Sequence, residues 1–231
     1  MNEDNIEVSE DFNFVNHNET DFSSFRRFRS NLDARYSAAE KERTKNYRVA
    51  NYRVWRERMP LSLRKFNIRS FSQKTSDDIR KALKERKFRS FFLTGESRTG
   101  KTCLAYNLAG VLILRGLVRP SEIRFVTEAE LLTAANSGFR SADELAAIMR
   151  PNCKLFVFDN VGTRDYDERR ELPAISRFIE HVVNSGAQII FTSTGPLEDF
   201  LELLGDTSRA RVEELIGDHG VLQLDADSKL E

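Results

Sequence analysis

The sequence predicts an α/β fold in which helices cover both faces of a five-stranded, mainly parallel sheet. Five short, nearly all-apolar segments alternate with segments of helical periodicity from residue 90 onward. Central strands of parallel sheets are buried on both faces, which accounts for this apolar composition. A glycine-containing turn at 95–102 also stands between the first apolar segment and a long helical one. The predicted strands are 91–93, 123–126, 155–158, 189–192 and 221–224.

Helices are predicted in the segments between these strands, where apolar residues recur at helical spacing. One more helix is expected before the first strand, from Ser76 to Lys87. Ser76 is a suitable N-cap, and Asp77 and Asp78 suit the first turn of a helix. We assign the α/β domain to 60–231. The remaining helices are expected around 101–115, 128–135, 142–149, 171–184 and 197–204.

The net charge of zero conceals blocks of opposite sign. Residues 1–24 contain seven acids and no Lys or Arg, whereas 25–89 contain 21 Lys or Arg and seven acids. The first block has too few apolar residues to fold alone, so we predict a disordered acidic tail. This tail either only solvates the chain or masks the basic block electrostatically. The asymmetry suggests that the basic block has a partner of its own.

The segment 25–59 is predicted to be a basic, helical, partner-binding region. It ends where Met59 and Pro60 break the helix. Its basic and aromatic residues, with Trp55 among them, can hold nucleic acid, with cations on phosphates and rings on bases. They can equally dock on a partner protein, and the sequence leaves both readings open. The apolar residues at helical spacing are Phe25, Phe28, Leu32 and Tyr36.

Composition argues against a membrane or secreted protein. No apolar run approaches the length that spans a bilayer, and the first ten residues are acidic where a secretory signal is basic. Cys103 and Cys153 are isolated thiols without the spacing of a metal site. We therefore expect a cytoplasmic protein with no membrane partner.

The turn at 95–102 has the composition of a phosphate-binding loop. Glycines let the backbone wrap a phosphate, while successive N–H groups and the helix dipole attract the anion. Lys101 is placed to reach the β and γ phosphates of ATP, and the Thr102 hydroxyl is placed to bind Mg²⁺. The expected nucleotide-binding residues are Gly95, Glu96, Ser97, Arg98, Thr99, Gly100, Lys101, Thr102 and Cys103.

An acid follows the third predicted strand. Asp159 stands at the carboxyl end of 155–158, and ligands bind at this edge of a parallel sheet. An aspartate there holds Mg²⁺ beside the phosphate loop in P-loop NTPases. We predict that Thr102 and Asp159 form the metal site.

Four stretches occur in a characteristic order along the chain: 56–60 (Arg-Glu-Arg-Met-Pro), 154–162, 189–194 and 204–212. Together they resemble the DnaC/DnaI/IstB group of AAA+ ATPases, which includes bacterial and phage helicase loaders and transposition ATPases. The resemblance covers roughly 56–224 and implies an AAA+ P-loop core without a C-terminal helical lid. It also implies that Arg211 is an arginine finger, reaching the γ-phosphate in a neighbouring subunit of a self-associated assembly. Arg209 is the competing candidate.

Three residues depart from the pattern of that group. Asn160 stands where an acid follows the magnesium aspartate, and an amide cannot accept a proton from the attacking water. Thr194 replaces the sensor asparagine, and Arg98 replaces a glycine of the loop, adding bulk and charge beside the phosphates. We expect ATP and Mg²⁺ to bind, with slow or absent hydrolysis.

The resemblance implies a helicase loader that binds a replicative helicase through its N-terminal segment and engages single-stranded DNA. A transposition ATPase on duplex DNA is the first alternative. The second is a nucleotide-bound adaptor or inhibitor that never hydrolyses ATP. A P-loop kinase of small molecules is disfavoured, because no arginine-rich lid is evident between the central strands.

Overall fold

The computed structural model describes residues 23–65, 71, 77–79, 81, 90–217 and 220–224. The acidic tail predicted at 1–24 lies outside the described residues, apart from Ser23 and Ser24. The helix predicted from Ser76 to Lys87 is described only at 77–79 and 81, which are helical. Internal contacts divide the chain into two units, Met1–Lys45 and Asn46–Glu231.

The N-terminal region forms a single long helix, α1, Ser23–Arg58. It ends directly before Met59 and Pro60, as the helix-breaking effect of proline predicts. A 3₁₀ turn follows at Leu61–Leu63. No helix in the described ranges is long and apolar enough to cross a membrane.

The second unit contains the predicted five-stranded sheet. Its strands are β1 Phe91–Thr94, β2 Ile123–Thr127, β3 Leu155–Asp159, β4 Gln188–Ser193 and β5 Val221–Gln223. They lie in the order β2-β3-β4-β1-β5, and every described pair is parallel. This order brings the carboxyl ends of β1, β3 and β4 side by side, which is where a parallel sheet presents a ligand site.

Besides the helical residues at 77–79 and 81, six helices of the second unit have both ends within the described residues. α2 directly follows the glycine-containing turn and is apolar nearly all round, as a buried helix is. The helices are α2 Lys101–Leu114, α3 Glu128–Asn136, α4 Ser141–Ile148, α5 Glu171–Ser185, α6 Leu197–Glu202 and α7 Asp206–Ile216.

Two apolar cores lie on opposite faces of the sheet, because successive side chains of a strand alternate between its faces. Phe92 packs in one core with residues of α3 to α7. Its neighbours Phe91 and Leu93 pack in the other core, which includes α2 and Trp55. Both faces are therefore covered, as the apolar strands predict.

The aromatic residues at the end of α1 belong to the second core. Trp55 is 3% exposed, and its indole N–H donates to the Tyr106 carbonyl oxygen at 3.1 Å. Its ring lies 5.9 Å from that of Phe125, and a Cβ added at Gly110 would meet Tyr52 at 2.8 Å. Trp55 is therefore not available to stack on bases or to dock on another protein, while both readings of the remaining segment stay predictions. Residues 46–58 form part of the α/β unit.

Candidate nucleotide site

The loop between β1 and α2 folds back on itself at residues that require glycine. Gly95 has φ +144°, and a Cβ there would lie 2.3 Å from the carbonyl oxygen of Leu224. Gly100 has φ +90° and caps the N-terminus of α2. The first turn of α2 therefore presents backbone N–H groups beside the loop, the arrangement that favours an anion.

Lys101 is nearly buried, at 9% exposure, and its ammonium group is held by the loop itself. Its Nζ donates to the carbonyl oxygens of Gly95 at 2.7 Å and Glu96 at 2.6 Å. Desolvation lowers the pKa of Lys101, and the charge of Asp159 opposes this shift. An incoming phosphate would supply the full negative charge that these two carbonyl dipoles supply only in part.

The hydroxyl of Thr102 lies against the carboxylate predicted to hold Mg²⁺. Its Oγ1 donates to Asp159 Oδ1 at 2.9 Å. The same oxygen accepts a hydrogen bond from Thr192 Oγ1 at 2.6 Å. The backbone N–H of Asn160 in turn donates to Thr192 Oγ1 at 2.8 Å. The structure thus joins the ends of α2, β3 and β4 through one carboxylate oxygen.

These groups line a cavity of about 620 Å³. This volume lies within the range of 300–1,000 Å³ that is typical of ligand pockets. Nine of the residues that line the cavity were expected from sequence to be in the site. They are Ser97, Arg98, Gly100, Lys101, Thr102, Cys103, Asp159, Asn160 and Thr194.

Three further expected residues form the loop without being among those that line the cavity. The carbonyl oxygens of Gly95 and Glu96 hold Lys101, as described above. Thr99 is buried, and its Oγ1 donates to the Glu96 carbonyl oxygen at 3.0 Å. Their contribution is therefore to the shape of the loop.

Cys103 is buried and lines the cavity. Burial raises the pKa of its thiol to about 11. A thiol with so high a pKa is not a nucleophile at neutral pH, since the thiolate is the reactive form. The contribution of Cys103 is therefore packing.

Arg98 and Asn160 have left-handed backbone conformations, with φ of 67° and 63°. They are the two non-glycine residues with positive φ in the described part of the chain. Such conformations cost free energy, less for asparagine than for arginine, and gather at functional sites. Both residues line the cavity, so the strained backbone is concentrated at this site.

Neither candidate arginine finger is among the residues that line the cavity. Arg211 lies on α7 and pairs with Glu180 on α5, with 3.2 Å between Nη1 and Oε1. Arg209 pairs with Glu213 on its own helix at 3.2 Å. Either arginine would therefore contact the γ-phosphate only of a nucleotide bound to a second subunit, and the arginine-finger role stays a prediction.

Sequence reasoning did not identify Thr192 or Glu128, and both line the cavity. Glu128 is 3% exposed and accepts hydrogen bonds from the Gly162 N–H at 2.8 Å and the Thr163 hydroxyl at 2.5 Å. The Tyr166 hydroxyl also donates to it, and burial raises the pKa of Tyr166. The position of Glu128 directly after β2, at the ligand-binding edge of the sheet, was the signal available in the sequence.

A second cavity of about 520 Å³ shares Glu128, Ala129 and Asn160 with the first. Arg164 lines it and pairs with Glu171 at 2.6 Å. That pair lowers the pKa of Glu171, which is buried and also accepts a hydrogen bond from Asn136. The loop after β3 is thus fixed from two sides, by Glu128 and by Glu171.

Solved structures with the same fold include several replication proteins. The DnaC helicase loader matches with a TM-score of 0.54 at 17% identity, over 71% of this chain and 99% of that one. DnaI matches with a TM-score of 0.53 at 14% identity, over 73% and 94%. AMPPCP-bound DnaA from Aquifex aeolicus matches with 0.53 at 17% identity, over 71% of this chain and 51% of that one. This chain thus spans about half the length of that DnaA, and at such identity the likeness shows the fold alone.

Sequence comparison identifies the family. Comparison with curated proteins gives no match. The family described as IstB-like ATP binding protein matches residues 14–229, which is nearly the whole chain. Its match agrees with the phosphate loop, the parallel sheet and the similarity to DnaC and DnaI. The chain belongs to the IstB-like ATP binding protein family and has the P-loop AAA+ fold.

Proposed function

We propose that this protein binds ATP and Mg²⁺ in the 620 Å³ cavity and acts as a helicase loader with weak or partner-dependent hydrolysis. The observation that carries the nucleotide part is the contact between Thr102 Oγ1 and Asp159 Oδ1 at 2.9 Å, beside Lys101. A hydroxyl and a carboxylate in contact at the end of a phosphate loop are the protein groups that hold Mg²⁺ in P-loop NTPases.

The donor set fits Mg²⁺ bound together with nucleotide. Among the residues that the structure describes, no three His, Cys, Asp or Glu side chains gather into a metal site. Mg²⁺ usually takes one or two protein oxygens and completes its shell with phosphates and water. Thr102 and Asp159 supply these protein oxygens, and when bound the ion would neutralise charge on the phosphates.

The proposal that hydrolysis is weak rests on Asn160. Its side chain borders the cavity next to Asp159, where it can orient water but cannot accept a proton. Glu128 is the buried carboxylate among the described residues that line this cavity, and it already accepts three hydrogen bonds. A general base therefore has to come from a rearrangement or from a partner.

The helicase part of the proposal rests on likeness and on α1. DnaC, described as a helicase loader, matches 71% of this chain with the same fold. From Arg29 to Lys45, every described side chain of α1 is exposed. A helix that is exposed all round gains its stability from a partner or from charge pairs. We infer that this part of α1 contacts the helicase, while the AAA+ core self-associates and engages single-stranded DNA.

Two measurements test this function in turn. ATP binding with and without Mg²⁺ should be lost in Lys101→Ala, whereas Thr102→Ala should bind equally in Mg²⁺ and in EDTA. A pull-down with a replicative hexameric helicase should retain the full chain. A failure of Lys101→Ala to weaken ATP binding would remove the nucleotide assignment, and a negative pull-down would remove the loader assignment alone.

Two alternatives have an observation in their favour. The family match is to IstB-like proteins, which favours a transposition-type ATPase on duplex DNA. Preferential binding of duplex over single-stranded DNA, without helicase retention, would support it. Asn160 favours a nucleotide-bound adaptor or inhibitor of a helicase. Helicase binding with no loading and no turnover would support that role.

A further inference from the structure

Arg98 occupies a backbone conformation that disfavours its own side chain. Its φ of 67° lies in the left-handed region, where glycine has no steric cost and arginine has one. The other two positions of the loop with positive φ are occupied by glycine, at Gly95 and Gly100. The presence of arginine at this turn therefore calls for a gain that offsets the strain.

The guanidinium of Arg98 is free to bind a ligand. Arg98 is exposed and lines the cavity, and among the described residues it has no hydrogen bond or ion pair. Lys101, the other cation of the loop, is held by the carbonyl oxygens of Gly95 and Glu96. Arg98 is thus the cation of the loop that an incoming anion can reach without breaking an existing contact.

The geometry of guanidinium suits a phosphate chain. Its planar N–H groups donate two parallel hydrogen bonds to adjacent oxygens, and it stays charged throughout the physiological pH range. Each added phosphate increases the negative charge and the number of oxygens within its reach. A free arginine on this wall therefore favours ligands with more terminal phosphate oxygens.

We propose that the Arg98 side chain binds the terminal phosphates of the nucleotide and makes the site selective for triphosphate over diphosphate. This inference rests on the proposed nucleotide function. It assigns Arg98 a binding role for its side chain, in addition to the shape that its backbone gives the loop. Together with the weak hydrolysis proposed above, such an arginine would hold the protein in its triphosphate state.

The test compares the affinities of mant-ATP and mant-ADP by fluorescence titration in Mg²⁺. Loss of a charge-assisted contact in Arg98→Gln should weaken mant-ATP binding by roughly ten- to a hundredfold and mant-ADP binding less, so that the preference for ATP falls. Arg98→Lys keeps the charge without the planar fork and should be intermediate. The matched control is Arg150→Gln. Arg150 is exposed and precedes the amino end of β3, whereas the cavity lies at the carboxyl ends of the strands.

Arg98→Gly separates the side-chain role from the backbone. It removes the strain at φ 67°, so a purely structural arginine predicts equal or tighter nucleotide binding in this variant. Our proposal predicts a loss of mant-ATP affinity like that of Arg98→Gln, without a lower melting temperature. An unchanged ratio of ATP to ADP affinity in both variants would overturn the role of Arg98. If Lys101→Ala abolishes binding in the same assay, the nucleotide site itself stands.

Discussion

The proposal of weak hydrolysis depends on Asn160, which lines the cavity. It lies next to Asp159, and its backbone N–H donates to Thr192 at 2.8 Å. Its φ of 63° is a conformation that asparagine tolerates better than most residues. Under the proposed function, an amide held by its backbone would stand where the attacking water would need a base.

A carboxylate at this position should restore turnover. We expect Asn160→Glu to raise the ATP hydrolysis rate by about 10²-fold or more, within the range of general-base catalysis. Asn160→Asp is the matched variant, because aspartate accepts positive φ more readily than glutamate but reaches less far. Phosphate release under saturating ATP and Mg²⁺ measures the effect. Brisk turnover by the unaltered protein alone would contradict the assignment of Asn160 as the limiting residue.

Sequence patterns located the residues of the phosphate loop and the acid at the end of β3, but not Thr192 of β4. Lys101, Thr102 and Asp159 stand at fixed offsets from a glycine turn and a strand end, and the structure brings them together. Thr192 joins them only because β4 lies beside β3. That adjacency depends on strand order, which local periodicity does not encode. The spacing of residues also does not predict that Arg98 has a positive φ.

At the scale of elements, the end of α1 has a different role from the one that its composition suggests. A basic helix with Tyr and Trp resembles a binding arm, yet Trp55 is buried against Tyr106 and Phe125. Composition could not predict this, because the groove that receives the tryptophan is formed by α2 and β2. The predicted strands, by contrast, agree with the observed ones to within one residue at each end, since burial on both faces leaves a clear apolar signature.

Truncating this tryptophan should destabilise the second unit. We expect Trp55→Ala to lower the free energy of unfolding by about 3–5 kcal/mol, the range for large aromatic residues in a core. Arg53→Ala, an exposed change on the same helix, should stay within about 0.5 kcal/mol of the unaltered protein. Urea unfolding followed by circular dichroism measures both. Equal stability of the two variants would mean that α1 does not pack on α2 in solution.

The 3₁₀ turn Pro120–Glu122 fixes the start of the edge strand β2. The Glu122 carboxylate accepts hydrogen bonds from Arg119 and pairs with Lys154 at 3.0 Å. These cations, Arg119 foremost, lower the pKa of Glu122 from 4.5 to about 2. The carboxylate thus links the residues that precede β2 and β3.

The lowered pKa of Glu122 gives this link a defined pH dependence. A pKa depressed by folding contributes stability that is complete above about pH 4.5 and is lost as the pH falls toward 2. We expect Glu122→Gln to be less stable by roughly 1–2 kcal/mol at pH 7. The difference should narrow as the pH falls from 4.5 toward 2 in urea titrations. A difference that is constant with pH would show that the ion pairs contribute nothing.

For the whole molecule, the family and fold followed from a few ordered motifs. The glycine loop, Asp159 and the stretches near the C-terminus predicted an AAA+ core, and the strand order and family match confirm it. Self-association, by contrast, stays a prediction. An arginine finger contacts a nucleotide that is bound to a neighbouring subunit, so a single chain cannot show that contact. Arg211 is instead paired with Glu180.

We expect assembly with ATP and Mg²⁺ to depend on Arg211. Its pair with Glu180 is partly exposed, and such pairs contribute about 0–1 kcal/mol, so the phosphates of a neighbouring subunit can displace it. Light scattering after gel filtration should show a larger mass with ATP and Mg²⁺, and Arg211→Ala should keep the mass of the nucleotide-free protein.

Arg209→Ala is the matched control on the same helix. Arg209 is paired with Glu213 one turn away and should be dispensable for assembly. Glu180→Gln releases Arg211 without removing it, so this variant should assemble at lower ATP concentrations than the unaltered protein. If Arg209→Ala loses assembly and Arg211→Ala keeps it, the finger is Arg209. The reason is that only an arginine that contacts the phosphates of a neighbouring subunit makes the mass of the assembly depend on ATP.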